Sequence, residues 1–382
     1  MSEPSLATVE KLYQNRGLRA VELKTEGIKT MGYLCCYAPT ELLTAAGVVP
    51  LRITGNVNES ISMADAHIET ITCPFVRNCF DLALRGEYSF LDGFVVPHTC
   101  DNVARIYDIW RYTIRQPYNH FINVPHTIAT GSLDFFRAEL DTFKKSLETS
   151  LDKHISSDEL RESIALHNQF RGLVRKLYDL RLPDPPLLSG AETMKIILAT
   201  TRLPVNEANE LLRSAIEEIK QRPNKQPKGH TRILVYGPEV DDVPFIEMIE
   251  EMGFDVVIDD LCIGTRPYWS DVEITPDPMD GLAQRYLEKI NCPRTFRPRT
   301  GTRKEDLDNR FKYILDFAKK YRVKGIILYV IKYCDIYGFD AVDVKDYMEE
   351  AGFPGIIVEG DYTSMSIDWM KTRIQAFQEM IA

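Results

Sequence analysis

Cys35, Cys73 and Cys100 each stand where a strand is expected to hand over to a helix: Gly32-Tyr33-Leu34-Cys35, Ile71-Thr72-Cys73-Pro74-Phe75 and Val96-Pro97-His98-Thr99-Cys100-Asp101-Asn102. At a helix N-terminus the backbone N–H groups are unpaired and the dipole favours negative charge. A thiol there is stabilised as the thiolate, the form that binds metal. Pro74 fits a first helical turn, which puts Cys73 at or near the cap, and a helix starting near Asn102 aims its N–H groups at Cys100. The three are too far apart for a local Cys-x-x-Cys motif, so the fold must bring them together. The bland alternative is that each packs as a small buried hydrophobe. Cys262, Cys292 and Cys334 are first read that way, although Cys262 and Cys334 also follow expected strands. Cys36 and Cys79 read as neighbours of stronger candidates.

Other groups carry less. His98 suits a proton donor or a hydrogen-bond partner to bound material, and suits a structural role as well. The pairs Asp241-Asp242 and Asp259-Asp260 suggest a divalent cation, yet Asp242 before Val243-Pro244 is equally a helix N-cap, so they stay unassigned. There is no Gly-x-x-x-x-Gly-Lys-Ser/Thr loop and no Gly-x-Gly-x-x-Gly after a strand, so ATP hydrolysis or NAD chemistry would come from another protein.

The elements that must position the thiols follow from periodicity. Gly47–Ile53, Phe90–Pro97 and Asn119–Pro125 are short apolar runs ending in turn signals, alternating with helical stretches such as Thr40–Ala46 and Val76–Leu84. That is the pattern of a parallel sheet covered on both faces. Ser156 and Glu159 match a capping box, followed by Leu160, Ile164, Phe170, Leu173 and Leu177 at helical spacing. Pro183, Pro185 and Pro186 break this region into two arms, and Gln221–Gly229 has the composition of a linker. Strands then return at Thr231–Tyr236, Phe254–Leu261, Lys324–Ile331 and Gly355–Gly360. The expected architecture is α/β, with two doubly wound, Rossmann-like parallel-sheet domains in series: 1–150 carrying the cysteines, 151–228 a helical connector and linker, and 229–382 the second domain.

With 382 residues, 44% hydrophobic and 27% charged, the chain is an ordinary globular protein too long for one core. No apolar run could span a bilayer, so no membrane association is expected. The start, Met1-Ser2-Glu3-Pro4, lacks the basic and apolar blocks of a signal peptide, so the eight cysteines are expected as thiols in the cytoplasm. A net charge of −10 argues against nucleic-acid binding.

The same residues carry a resemblance. Gly32-Tyr33-Leu34-Cys35-Cys36-Tyr37-Ala38-Pro39-Thr40-Glu41-Leu42-Leu43, Cys73-Pro74-Phe75-Val76-Arg77, Leu91-Asp92-Gly93 through Thr99-Cys100-Asp101-Asn102, Asp259-Asp260-Leu261-Cys262-Ile263-Gly264-Thr265-Arg266 and Lys332-Tyr333-Cys334-Asp335 together resemble the 2-hydroxyacyl-CoA dehydratase and benzoyl-CoA reductase subunits, the dehydratase D-component family. The resemblance runs from about residue 8 to the C-terminus. It implies that Cys35, Cys73 and Cys100 ligate a [4Fe-4S] cluster. It further implies a related cluster-binding subunit as heterodimer partner, a separate ATP-hydrolysing iron–sulfur activator, and an acyl-CoA substrate whose thioester carbonyl takes up an electron. At this length the chain resembles the smaller, electron-relaying subunit. Cys36 departs from the small polar residue common there. An (R)-2-hydroxyacyl-CoA dehydratase leads. A benzoyl-CoA-type aromatic-ring reductase and a homodimeric double-cubane-cluster reductase are the alternatives, and a closed zinc site on the same cysteines is a third class.

Overall fold

The computed structural model describes residues 4–381 apart from 225 and 300. Two sheets of four strands carry the architecture. The first contains β1 (Thr30–Tyr33), β2 (Val49–Arg52), β3 (Gly93–Pro97) and β4 (Tyr118–Ile122), in the order β2-β1-β3-β4. The second contains β5 (Thr231–Tyr236), β6 (Phe254–Asp260), β7 (Gly325–Ile331) and β8 (Gly355–Gly360), in the order β6-β5-β7-β8. Every pairing is parallel. Strands such as Gly93-Phe94-Val95-Val96-Pro97 and Gly325-Ile326-Ile327-Leu328-Tyr329-Val330-Ile331 are buried along their whole length, because helices cover both faces.

The shared order has a consequence for function. In each sheet the winding reverses between two central strands, β1 and β3 in the first and β5 and β7 in the second. The loops at their carboxyl ends therefore diverge and leave a crevice. Cys35 follows β1, Cys100 follows β3 and Cys334 follows β7.

Helices Ser132–Leu151, Ser157–Asp179, Gly190–Thr200 and Val205–Gln221 lie between the sheets in the chain. The expected capping box forms. The Ser156 Oγ accepts the Glu159 N–H at 3.2 Å, and the Glu159 carboxylate accepts the Ser156 N–H at 2.8 Å. Ser156→Ala is expected to cost about 1 kcal/mol, the usual value of an N-cap, read as a lower urea midpoint at unchanged slope. The proline-rich segment separates the helices ending at Asp179 and starting at Gly190, and a third helix, Val205–Gln221, follows.

The strand expected ahead of Cys35 forms as Thr30–Tyr33, although Thr-Met-Gly-Tyr is too short and mixed to stand out as an apolar run. One expectation changes. Cys73 is not reached from a strand. It follows a loop after the 3₁₀ turn Ala64–Ala66, and the entry to that turn is held by the Asp81 carboxylate, which accepts the N–H groups of Ser62, Met63 and Ala64. Among the described residues no helix is long and apolar enough to cross a membrane.

Candidate metal centre

Three thiols sit at helix N-caps. Cys73 caps Pro74–Leu84, Cys100 caps Asp101–Ile114 and Cys334 caps Asp335–Glu350. None of the three caps its helix with a side-chain hydrogen bond. The N–H groups of Phe75 and Val76 act on Cys73, those of Asn102 and Val103 on Cys100, and that of Tyr337 on Cys334, each favouring the thiolate. Cys35 is presented differently, from a left-handed backbone at φ +65°, a conformation that costs a non-glycine residue and is held by its surroundings. Tyr333, just before Cys334, is left-handed too, at φ +64°.

Thiols from chain segments far apart in sequence act on one another. Cys73 and Cys35 both act electrostatically on Cys100, and Cys73 and Cys100 both act on Cys334. Asn102 ties three of the loops. Its Oδ1 accepts the Cys73 N–H at 3.3 Å, its Nδ2 donates to the Tyr333 carbonyl at 3.4 Å, and it lies two residues after Cys100.

Burial dominates the three capping thiols and pushes all of them up, Cys100 to about 12, against the N–H groups that pull the other way. As free groups they are protonated, so a metal must displace protons to bind. Cys35 goes the other way. The neighbouring Cys36 thiol, 4.0 Å away, is the largest cause, and the Arg52 cation, the Tyr37 N–H and the Thr99 hydroxyl assist, holding Cys35 below the usual thiol range despite its burial. Cys36 is raised in turn by Cys35 and by burial.

Arg52 is itself paired with Glu239, at 2.6 Å across the two sheets, with both side chains nearly inaccessible. Burial pushes Glu239 up to about 7 against the pull of Arg52. Among the described residues no three His, Cys, Asp or Glu side chains converge closely enough to hold one metal ion.

Of the remaining candidates, Cys79 is buried inside the helix that Cys73 caps. Cys262 accepts from Arg266 Nη1 at 3.1 Å and lies 3.5 Å from the Tyr337 hydroxyl. Cys292 is raised by burial. The His98 ring packs 5.0 Å from that of His126 and 5.4 Å from that of Phe121, and burial and Arg294 lower its pKa. Asp242 caps Val243–Glu251, Asp259 accepts from Thr265 and Tyr178, and Asp260 pairs with Arg266, so the acidic pairs are occupied by structural partners. Sequence reasoning set Cys334 aside. The signal for it was present: a strand followed by Cys334-Asp335 repeats the strand followed by Cys100-Asp101.

The model of the 2-hydroxyglutaryl-CoA dehydratase, D-component family matches residues 35–381. The chain belongs to that family. Similar family proteins include the (R)-phenyllactyl-CoA dehydratase beta subunit of Clostridium sporogenes, 25% identical over 361 residues, covering 94% of this chain and 93% of that protein. A benzoyl-CoA reductase subunit of Thauera aromatica is 27% identical over 338 residues, 86% of each chain. Lactoyl-CoA dehydratase subunit beta of Anaerotignum propionicum is 24% identical over 356 residues, 93% of this chain and 92% of that one. All three are subunits of enzymes acting on acyl-CoA thioesters, and this chain is an enzyme subunit of the same family. Their coverage of 86–94% of this chain takes in most of both sheets.

Proposed function

We propose that this chain is the electron-relaying iron–sulfur subunit of a cytoplasmic (R)-2-hydroxyacyl-CoA dehydratase. In this reading Cys35, Cys73 and Cys100 would hold a [4Fe-4S] cluster, and Cys334 is the candidate for a fourth ligand. The observation that carries the reading is that thiols from separate loops, three of them at helix N-termini, lie near enough to act on one another electrostatically. Soft thiolate donors select iron–sulfur clusters or zinc. Donors brought from separate loops would suit a polynuclear group whose ligands attach to different metal atoms. Bound there, such a cluster supplies one-electron transfer at low potential.

The chain's own residues set the conditions. The N–H groups at three helix starts stabilise the sulfur charge, and Asn102 holds the loops in register. If Cys334 completes the set, no metal atom would need a further ligand, which would suit relay rather than substrate binding. The substrate would then sit on a related cluster-binding partner subunit, and a separate ATP-hydrolysing iron–sulfur activator would deliver the electron. The 27% identity to a benzoyl-CoA reductase subunit supports a second reading, the same relay role in an ATP-dependent aromatic-ring reductase.

The test is anaerobic purification with the products of neighbouring genes, followed by iron and sulfide analysis and turnover of 2-hydroxyacyl-CoA or benzoyl-CoA in the presence of activator and ATP. Brown protein with about four irons per chain, as one such cluster implies, and dehydration of a 2-hydroxyacyl thioester are expected. Ring reduction instead would select the second reading. Colourless protein that takes up no iron on reconstitution would end both.

A further inference from the structure

Cys35 and Cys36 also line a cleft of about 70 Å³ that Cys73, Cys100 and Cys334 do not touch. Three arginines line it, Arg52, Arg171 and Arg285. Arg171 is neutralised by Glu41, and Arg52 by Glu239. Arg285 is 1% exposed and makes no ion pair among the described residues. Its Nε and Nη2 donate to the carbonyls of Ser270 and Pro267, and its guanidinium lies 4.5 Å from the Tyr286 ring centroid. Its Nη1 is buried without a hydrogen-bond partner, and so is Arg52 Nε.

A buried cation with an unmet donor costs several kcal/mol unless an anion completes it. Arg285 also opens the π-helical turn Arg285–Lys289, the kind of helix irregularity that collects at functional sites.

We propose that Arg285, with Arg52 and Arg171, forms a buried site for a small free carboxylate beside Cys35. The unpartnered Nη1 of a buried guanidinium calls for an anionic acceptor. A carboxylate oxygen can accept from it, and the cleft has room for only a few heavy atoms. The site does not rest on the function proposed above.

The test is calorimetric titration of the full chain, purified anaerobically, with acetate and propionate. Iron is measured in the same preparations. Saturable binding of acetate or propionate, weakened about tenfold or more in Arg285→Gln as expected for loss of a charged hydrogen bond and kept in the exposed Arg303→Gln, supports the site. Arg285→Lys, which keeps the charge, serves if the glutamine variant does not fold. Wild-type protein that binds neither acetate nor propionate overturns the site, whatever its iron content. Carboxylate binding in a chain that takes up no iron keeps the site and removes the cluster.

Discussion

Cys100→Ser should leave a chain that folds but retains less than about a tenth of the wild-type iron after anaerobic purification, as expected when a soft thiolate ligand is replaced by a hydroxyl that stays protonated. Cys100 is the thiol on which both Cys73 and Cys35 act, and it also acts on Cys334, so its loss removes the member common to the group. Cys73→Ser and Cys35→Ser should lose iron for the same reason. Cys334→Ser decides whether the fourth thiol is a ligand: iron loss includes it, and full retention confines the set to Cys35, Cys73 and Cys100. Cys79→Ser and Cys292→Ser are the comparison, since neither caps a helix. A milder change should follow from Asn102→Ala. It removes the contacts to the Cys73 N–H and the Tyr333 carbonyl without touching a sulfur, and losses of outer contacts of this kind usually weaken metal binding by about 10–100-fold. Equal iron in all of these variants would sink the assignment.

How far this centre could be read in advance depended on the range of the interaction that builds each part. The strands β3, β5, β6, β7 and β8 announce themselves as apolar, β-branched runs, because a strand buried on both faces has no polar side to show. The Ser156 cap and the placement of Cys73 and Cys100 at helix starts are equally local, written within a few residues. The strand β1 is not, since Thr30–Tyr33 owes its conformation to pairing with β2 and β3 on either side. The approach to Cys73 depends on Asp81, which belongs to the following helix and holds the entry to a turn that precedes it. Cys334 joins Cys73 and Cys100 only because the crevices of two sheets are packed against each other through contacts such as Arg52 to Glu239 and Asp241 to the Gly55 N–H. No periodicity records such a contact. The excess cation at Arg285 was hidden for the same reason: an arginine is unpaired only relative to neighbours that the fold supplies.

The largest stability effect should come from Arg171→Met. Glu41 is wholly buried in the helix Thr40–Ala45, just after the Cys35 loop. Its carboxylate pairs with Arg171 from the helix Ser157–Asp179 and accepts from the Tyr286 hydroxyl at 2.7 Å. Burial pushes Glu41 up, but Arg171, His167 and Arg285 together outweigh it and hold the carboxyl at about 2. Removing Arg171 leaves that carboxylate in the interior without its main partner, and breaking a buried pair from one side costs about 3–5 kcal/mol. The sign of the pH dependence separates this from a simple packing loss. In the wild type a pKa below the ordinary carboxylate value contributes stability that is complete above about pH 4.3 and is lost as pH falls toward 2. In the variant, burial without Arg171 raises Glu41 above its unfolded value, so the penalty is full near neutral pH and is relieved as the acid takes up its proton. The gap between the two proteins, read from urea unfolding, should therefore be widest near pH 7 and narrow below about pH 4. Glu41→Gln combined with Arg171→Met should recover most of the loss, because no charge is then stranded. A single variant within about 1 kcal/mol of wild type, the range of an exposed pair, would show that the pair carries no such weight. Because Glu41 and Arg171 anchor the helix that follows Cys35 to the helical layer, the same variant should also release iron more readily than the wild type, while the double variant holds it.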